Sequence, residues 1–202
     1  MTNTKHRSPI FLQSKQVVVR PFCKEDLPET WANINNLDVI QYLGTVTPRR
    51  FEDQNRWYER SAESDTDIIF SVDSKEGEFL GTMGLHRINH KDGTAGTGAA
   101  LGRHLGKGYG SAAKILILHW AFTQLNLRKI CSEVLGYNLR SQAYLKKTGY
   151  KEEGRRVKQV FQNGDYQDLI LMAVFREDFM PLWEEWSKHN LVTTDVKDSE
   201  KN

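Results

Sequence analysis

Between Arg103 and Ser111 the chain reads Arg-His-Leu-Gly-Lys-Gly-Tyr-Gly-Ser, with glycine at 106, 108 and 110. Three alternating glycines leave a backbone with no Cβ to hold a ligand away. Directly behind them runs Ala112–Phe122, a good helix former that is apolar on most sides. A glycine-rich turn feeding a helix points unpaired N–H groups outward at the positive end of the helix dipole, and that chemistry suits phosphate. The expected donors are the backbones of Gly106, Lys107, Gly108, Tyr109, Gly110 and Ser111, with Lys107 adding charge. Spacing argues against two familiar phosphate loops. Gly102 and Gly106 bracket only three residues, where a Walker loop needs four, and Gly106-Lys-Gly108-Tyr-Gly110 is not Gly-x-Gly-x-x-Gly.

A second stretch narrows the ligand. Leu127–Leu135 reads as a strand, and Asn138-Leu-Arg140-Ser141-Gln-Ala-Tyr144-Leu145-Lys-Lys-Thr-Gly149-Tyr150 follows it. Together with the glycine loop, this resembles the GNAT superfamily of N-acetyltransferases. Its acetyl-CoA loop follows Gln/Arg-x-x-Gly-x-Gly/Ala, and its next unit follows Asn-x-x-Ser-x-x-x-Tyr/Leu-x-Lys-x-Gly-Phe/Tyr. Arg20-Pro21-Phe22, Glu25-Asp26-Leu27 and Trp31 are similar to the opening of the ribosomal-protein N-terminal and spermidine acetyltransferase branch. The run from Gly154-Arg155 to Asn163-Gly164-Asp165-Tyr166-Gln167-Asp168 is similar to its close. The resemblance spans about residues 16 to 178.

The resemblance implies a mixed α/β (α+β) fold: a central, mostly antiparallel twisted sheet with splayed middle strands, flanked by helices. It implies transfer of acetyl from acetyl-CoA to a primary amine by direct attack in a ternary complex. A protein N-terminus, a polyamine or an amino sugar would serve as acceptor, and the alternative is a non-catalytic CoA-binding or regulatory module. The pantetheine arm would lie along Ala99-Ala100-Leu101, with Asn138 and Arg140 as further contacts. The sequence departs from the family at two points. Leu105 stands where the glycine register expects Gln or Arg, which Arg103 supplies only in the register ending at Gly108. Leu145 holds the family's tyrosine position while Tyr144 sits one residue earlier, about 100° away on a helix. Ser141 and Tyr144 are therefore both candidates to protonate the leaving thiolate, unless Tyr144 is simply a core aromatic and Ser141 a helix cap. No acid lies on Thr94–Gly102 ahead of the loop, so His86 on the preceding strand is the candidate base, and Asp168 a candidate to orient the amine.

These groups need elements to hold them. Residues 1–15 read as a loosely held arm, 16–189 as one acetyltransferase domain, and 190–202 as a disordered tail rich in Asp, Lys, Ser and Thr. Gln16–Arg20 is a β-branched first strand, and Cys23–Pro28 a helix entry with Trp31, Ile34 and Val39 at helical spacing. A second helix is predicted over Phe51–Ala62. Asp67–Val72 and Phe79–Ile88 form a hairpin, and Asp92-Gly93 turns into a strand over Thr94–Leu101. Val157–Phe161 and Leu169–Val174 pair around Asn163-Gly164, and Glu177–Lys188 closes the chain as a helix. The acceptor is expected between Leu43–Pro48, the second helix and the Asn163-Gly164 hairpin.

Composition bounds the rest. At 202 residues with 39% apolar content, the chain can bury a sizeable single core. A net charge of +2 implies neither a nucleic-acid nor a membrane surface, and no apolar run approaches the ~18 residues of a bilayer span. Cys23 and Cys131 fit a cytoplasmic protein better than a disulfide scaffold, Cys131 reads as core packing, and the six histidines show no metal-ligand spacing with them. A homodimer is left open.

Overall fold

The computed structural model describes residues 6–102, 104 and 106–192. Eight strands form one sheet: β1 (Leu12–Gln13), β2 (Val17–Pro21), β3 (Ile68–Ser74), β4 (Phe79–Asn89), β5 (Thr94–Leu101), β6 (Lys129–Leu135), β7 (Lys151–Gln162) and β8 (Asp165–Phe175). The helices are α1 (Leu27–Ile34), α2 (Leu37–Ile40), α3 (Phe51–Ala62), α4 (Tyr109–Gln124), α5 (Leu139–Lys147) and α6 (Arg176–Asn190). Spatial order is β1-β2-β3-β4-β5-β6-β8-β7, and every neighbouring pair is antiparallel except β5 with β6. That exception organises the molecule. The two strands pair only at Thr94↔Lys129, Ala95↔Ile130 and Gly96↔Cys131, then separate.

Local chemistry explains most boundaries. Asn163 and Gly164 both take positive φ, 55° and 80°, the backbone a two-residue hairpin between β7 and β8 requires. The Asn89 side chain accepts from the Asp92 amide at 3.0 Å and turns β4 into β5. Asn138 caps α5 by accepting from the Ser141 amide at 3.1 Å, so Ser141 is not the cap. Asn36 starts α2 afresh by accepting from the Asp38 amide, which splits the single helical run from Trp31 to Val39 in two. β7 begins at Lys151 rather than Val157. Most of it is exposed, so no apolar alternation marked its first half.

The two faces of the sheet carry different helices. An added Cβ on Gly110 of α4 would meet the Leu101 side chain at 3.0 Å, whereas Asn33 of α1 donates to the Ala100 carbonyl at 3.1 Å. Side chains alternate along a strand, so α4 covers the face that Leu101 points to. α4 is the central core element: Ala112–Leu118 are all buried, and Phe122 packs on Phe179 of α6 with ring centroids 5.4 Å apart.

The N-terminal segment departs from expectation. From His6 onward it is tied down rather than loose: β1 pairs with β2, and Phe11 packs its ring against Phe70 and Trp120. Beneath it lies a buried ionic cluster. Arg20, 1% exposed, donates to both oxygens of Asp26 and both of Asp73 at 2.7–3.0 Å. Ser71 and Arg7 donate to Asp26, and His6 Nδ1 lies 2.8 Å from Asp73. Residues 1–5 and 193–202, which include most of the expected tail, lie outside the described residues.

Gly81 fixes the distance between β4 and β5. Its φ is +142°, and a Cβ there would sit 2.2 Å from the Ala100 carbonyl oxygen. We expect Gly81→Ala to cost about 2 kcal/mol in a urea titration, because backbone rather than a flexible side chain must move.

Candidate active site

Where β5 parts from β6, a cleft of about 320 Å³ opens toward the start of α4 and α5. Its floor is the β5 edge. The Gly102 amide bonds Leu80 of β4 at 3.2 Å, so alternation turns the backbone of Leu101 and Ala99 to the parted side, where no strand pairs them. Ala99, Ala100 and Leu101 all line the cleft. An extended amide-bearing chain could add there as a short strand.

One end of the cleft is the glycine loop. Gly106 and Gly108 have φ of +87° and +86°, values a Cβ would strain, and added bulk at Gly106 would project into open space. Gly108 caps α4, and the first helical bond is Ala112 N–H to the Gly108 carbonyl at 3.0 Å. The amides of Tyr109, Gly110 and Ser111 therefore have no intrahelical acceptor, and the three residues line the cleft, an arrangement able to hold an anion. Lys107 is exposed and outside the cleft lining. Arg103 and Leu105, expected to contact the cofactor, lie outside the described residues.

The opposite wall is α5. Ser141 and Tyr144 both line the cleft, as do Asn138 and Arg140. Asn138 is buried with its oxygen engaged as the cap, which leaves its NH₂ group as the donor for a ligand. Arg140 stacks over the Tyr42 ring at 5.5 Å. Leu145 points into the core at 2% exposure, whereas Tyr144, one position earlier, reaches the cleft. The Tyr144 hydroxyl is buried and has no hydrogen-bond partner among the described residues. Burial, with the neighbouring Tyr150 phenol adding to it, holds this phenol well above its usual range.

Two expected residues lie elsewhere. His86 sits across from Gly96 on β4, with its ring over Gly84 and Gly98, on the face that α1 covers. Burial lowers its pKa, Asp67 at 3.9 Å partly opposes this, and Lys114 and Arg87 lower it further, so the imidazole is neutral near pH 7 and able to accept a proton. It does not line the cleft but backs the glycines beside it. Asp168 is also outside the cleft. Its carboxylate accepts from the Lys158 amide at 2.9 Å and pairs with Arg155 at 3.0 Å, and these bonds lower its pKa. It braces the hairpin, and it is not free to orient an amine.

The structure adds residues that the spacing did not mark. His104, paired with Glu78 at 2.8 Å, and Lys147 flank the cleft. Tyr42 and Leu43, at the start of the loop expected beside the acceptor, form a wall of it. The Gln162 side chain donates to the Gln41 carbonyl at 2.7 Å, which joins that loop to the β7–β8 hairpin. Among the described residues no helix is long and apolar enough to cross a membrane, and no metal-binding cluster is present.

A parted parallel pair, an unpaired strand edge and a left-handed glycine cap on the next helix together define a cofactor-binding acyltransferase cleft. Residues 16–151 match the acetyltransferase (GNAT) domain family, and the chain belongs to it. It is an acetyl-CoA-dependent N-acetyltransferase. Spermidine N(1)-acetyltransferase of Escherichia coli K12 is 28% identical over 165 residues, covering 81% of this chain and 88% of that protein. The crystal structure of spermidine N-acetyltransferase from Vibrio cholerae in complex with CoA and spermine superposes with a TM-score of 0.77 at 25% identity, covering 81% of this chain and 98% of that one. A putative ribosomal N-acetyltransferase of Bacillus subtilis is 25% identical over 105 residues, 52% of this chain and 57% of that protein.

Proposed function

We propose that this enzyme acetylates a primary amine of a polyamine by direct attack on the acetyl thioester. The supporting observation is the cleft itself. Unpaired β5 backbone lies at one side, free helix-start amides at one end, and a buried unsatisfied phenol at the other wall. The α4 amides would hold the diphosphate of acetyl-CoA, and Ala99 and Leu101 its amide arm. The bound thioester supplies an activated acyl group. Its relatives in Escherichia coli and Vibrio cholerae, named for spermidine, favour the polyamine among the three acceptors. Asp67 beside His86 adds a carboxylate on the face where the amine would approach.

Each step then falls to a group in this chain. Neutral His86, directly or through water, takes a proton from the incoming ammonium across the side-chain-free window at Gly96 and Gly98. A backbone N–H of the cleft steadies the oxyanion. Tyr144 gives a proton to the departing sulfur, with Ser141 beside it on the same wall. No cysteine nucleophile is needed. Burial raises the Cys131 thiol, away from the thiolate range.

The test is free-thiol release from acetyl-CoA with spermidine, spermine, an amino sugar and an N-terminal peptide as separate acceptors. Turnover on the polyamines is expected to be fastest, and turnover confined to the peptide would replace this acceptor with a protein N-terminus. No turnover on any amine despite acetyl-CoA binding would favour the non-catalytic module. With the active amine, His86→Ala should lower kcat/KM about tenfold, since a partly deprotonated amine needs only a modest base. The His86 contribution is lost as pH falls, below its ordinary value of about 6.5, because its pKa is depressed and the charged form cannot accept a proton. An unchanged acid limb in His86→Ala would remove it from the reaction.

A further inference from the structure

α4 is apolar almost throughout, yet at its second turn it buries Lys114 at 1% exposure. Among the described residues the Lys114 ammonium makes no hydrogen bond and no ion pair. What it meets instead is two ring faces. Its Nζ lies 5.9 Å from the Tyr144 ring centre and 5.9 Å from that of Tyr150. Tyr150 is anchored through its hydroxyl to Thr97 of β5 at 3.1 Å. Lys114 thus stands under the point where β5 leaves β6, between the cleft and the core.

An unpaired cation at the centre of a core is costly, and a methionine or leucine would fill the space without that penalty. Its placement makes sense in terms of what Tyr144 must do. A phenol is a weaker acid than a free thiol by about 1.5 pH units, and burying Tyr144 without a partner widens the gap. Proton transfer from Tyr144 to a thiolate therefore runs uphill, unless a positive charge lies beside the phenolate that forms. Lys114 is that charge. We propose that Lys114 is a positioning residue for acetyl transfer, acting through Tyr144: its buried ammonium orients the ring and offsets the negative charge that Tyr144 acquires as it protonates the leaving sulfur.

The balance is simple. The C–S bond breaks, sulfur keeps the electron pair and takes the Tyr144 hydroxyl proton, and the phenolate regains a proton from cleft water. From ammonium to amide the nitrogen gives up two protons: one leaves through His86 to solvent, and the second, passed through that water, replaces the one Tyr144 gave to the thiol. The inference rests on Tyr144 as the donor. Burial pushes the Lys114 pKa down to about 7, so the charge is full below neutral pH, about half populated near it, and fades in mild alkali. Groups facing this lysine are Tyr144 from α5 and Tyr150 from the turn before β7, and the imidazole of His86, on the other face of β4, feels its charge. Cys131 of β6 acts on Tyr150 behind it.

Lys114→Met keeps the length and apolarity of the stem. Its kcat should fall about tenfold or more with the KM for acetyl-CoA unchanged, and the alkaline fall of kcat expected of the wild type should be absent. In a Tyr144→Phe background, Lys114→Met should have no further effect. In lysine-labelled protein without cofactor, the ¹⁵Nζ resonance of Lys114 should pass from ammonium to amine over the same pH range as the alkaline fall. A wild-type kcat in Lys114→Met, an equal further loss in the double variant, or a Lys114 neutral down to about pH 5 would each overturn the inference. If Tyr144→Phe alone keeps the wild-type rate, the proton-donor reading falls and this one with it. If only Lys114→Met is inert, the donor reading survives. Should Lys114→Met fail to fold, Tyr144→Phe decides. The alkaline fall must vanish there, and its persistence would overturn the proposal.

Discussion

Tyr144→Phe is expected to lower kcat about a hundredfold while leaving acetyl-CoA affinity near that of the wild type. The substitution removes one oxygen and keeps the ring, so the α5 wall and the contact with Lys114 persist. That oxygen is buried and without a partner, so its loss should not destabilise the fold and should relieve an unsatisfied group. A structural tyrosine would behave in the opposite way, with stability falling and rate unchanged. Ser141→Ala is the control on the same wall. Because Asn138 rather than Ser141 caps α5, the alanine leaves the helix start intact, and any loss of rate reports on the hydroxyl. Steady-state kinetics with urea titrations of both variants would check this. Equal, wild-type rates would mean that the sulfur leaves without help from either residue.

Asp26→Ala should lower the stability of the fold by about 3–5 kcal/mol, with no direct effect on the cleft. Asp26 is fully buried and accepts from Arg20 through both oxygens, from Ser71, from Arg7 and from the Cys23 amide at 3.2 Å. Removing it leaves Asp73 to balance the Arg20 charge among the described residues, and frees a buried hydroxyl and an arm contact. Burial would raise the Asp26 pKa, but the Arg20 and Ser71 bonds outweigh it and hold the carboxyl at about 2, against 3.8 ordinarily. A depressed folded-state pKa means stability that is present above the unfolded value and lost as pH falls through the folded one. Asp26 therefore contributes about 2 kcal/mol above roughly pH 5, and that share fades toward pH 2. Acid unfolding of the wild type should be steep in that window and shallower in the variant. Urea midpoints from pH 7 to pH 3 that run parallel in the two proteins would contradict this.

How much of this was legible in the sequence depends on how far apart the cooperating residues lie. The glycine loop, the Asn163-Gly164 turn and the long buried helix are local signals, and the structure forms each of them, whereas the α5 cap falls on Asn138 and not on Ser141. The Arg20 cluster joins residues up to 53 positions apart, and His6 lies 67 from Asp73, so no spacing rule could reveal it. That cluster, with the β1–β2 pairing and the Phe11 ring contacts, is why residues 6–15 are held rather than loose. Lys114 carried no signal, since a lone lysine in an apolar helix reads equally well as one turned to solvent. Tyr144 was ambiguous by a single helical step, and only the direction of Leu145 into the core decides which side chain faces the cleft. Asp168 looked available because its two partners, Lys158 and Arg155, sit on the neighbouring strand β7.

The account depends on main-chain amides gripping the cofactor, and amide hydrogen exchange reads those amides one by one. On adding acetyl-CoA, the amides of Tyr109, Gly110 and Ser111 at the head of α4, together with Ala99 and Leu101 on the β5 edge, should become protected. The β7–β8 hairpin should stay as it was. Protection that appears elsewhere, with these five amides exchanging at their cofactor-free rates under saturating acetyl-CoA, would contradict it.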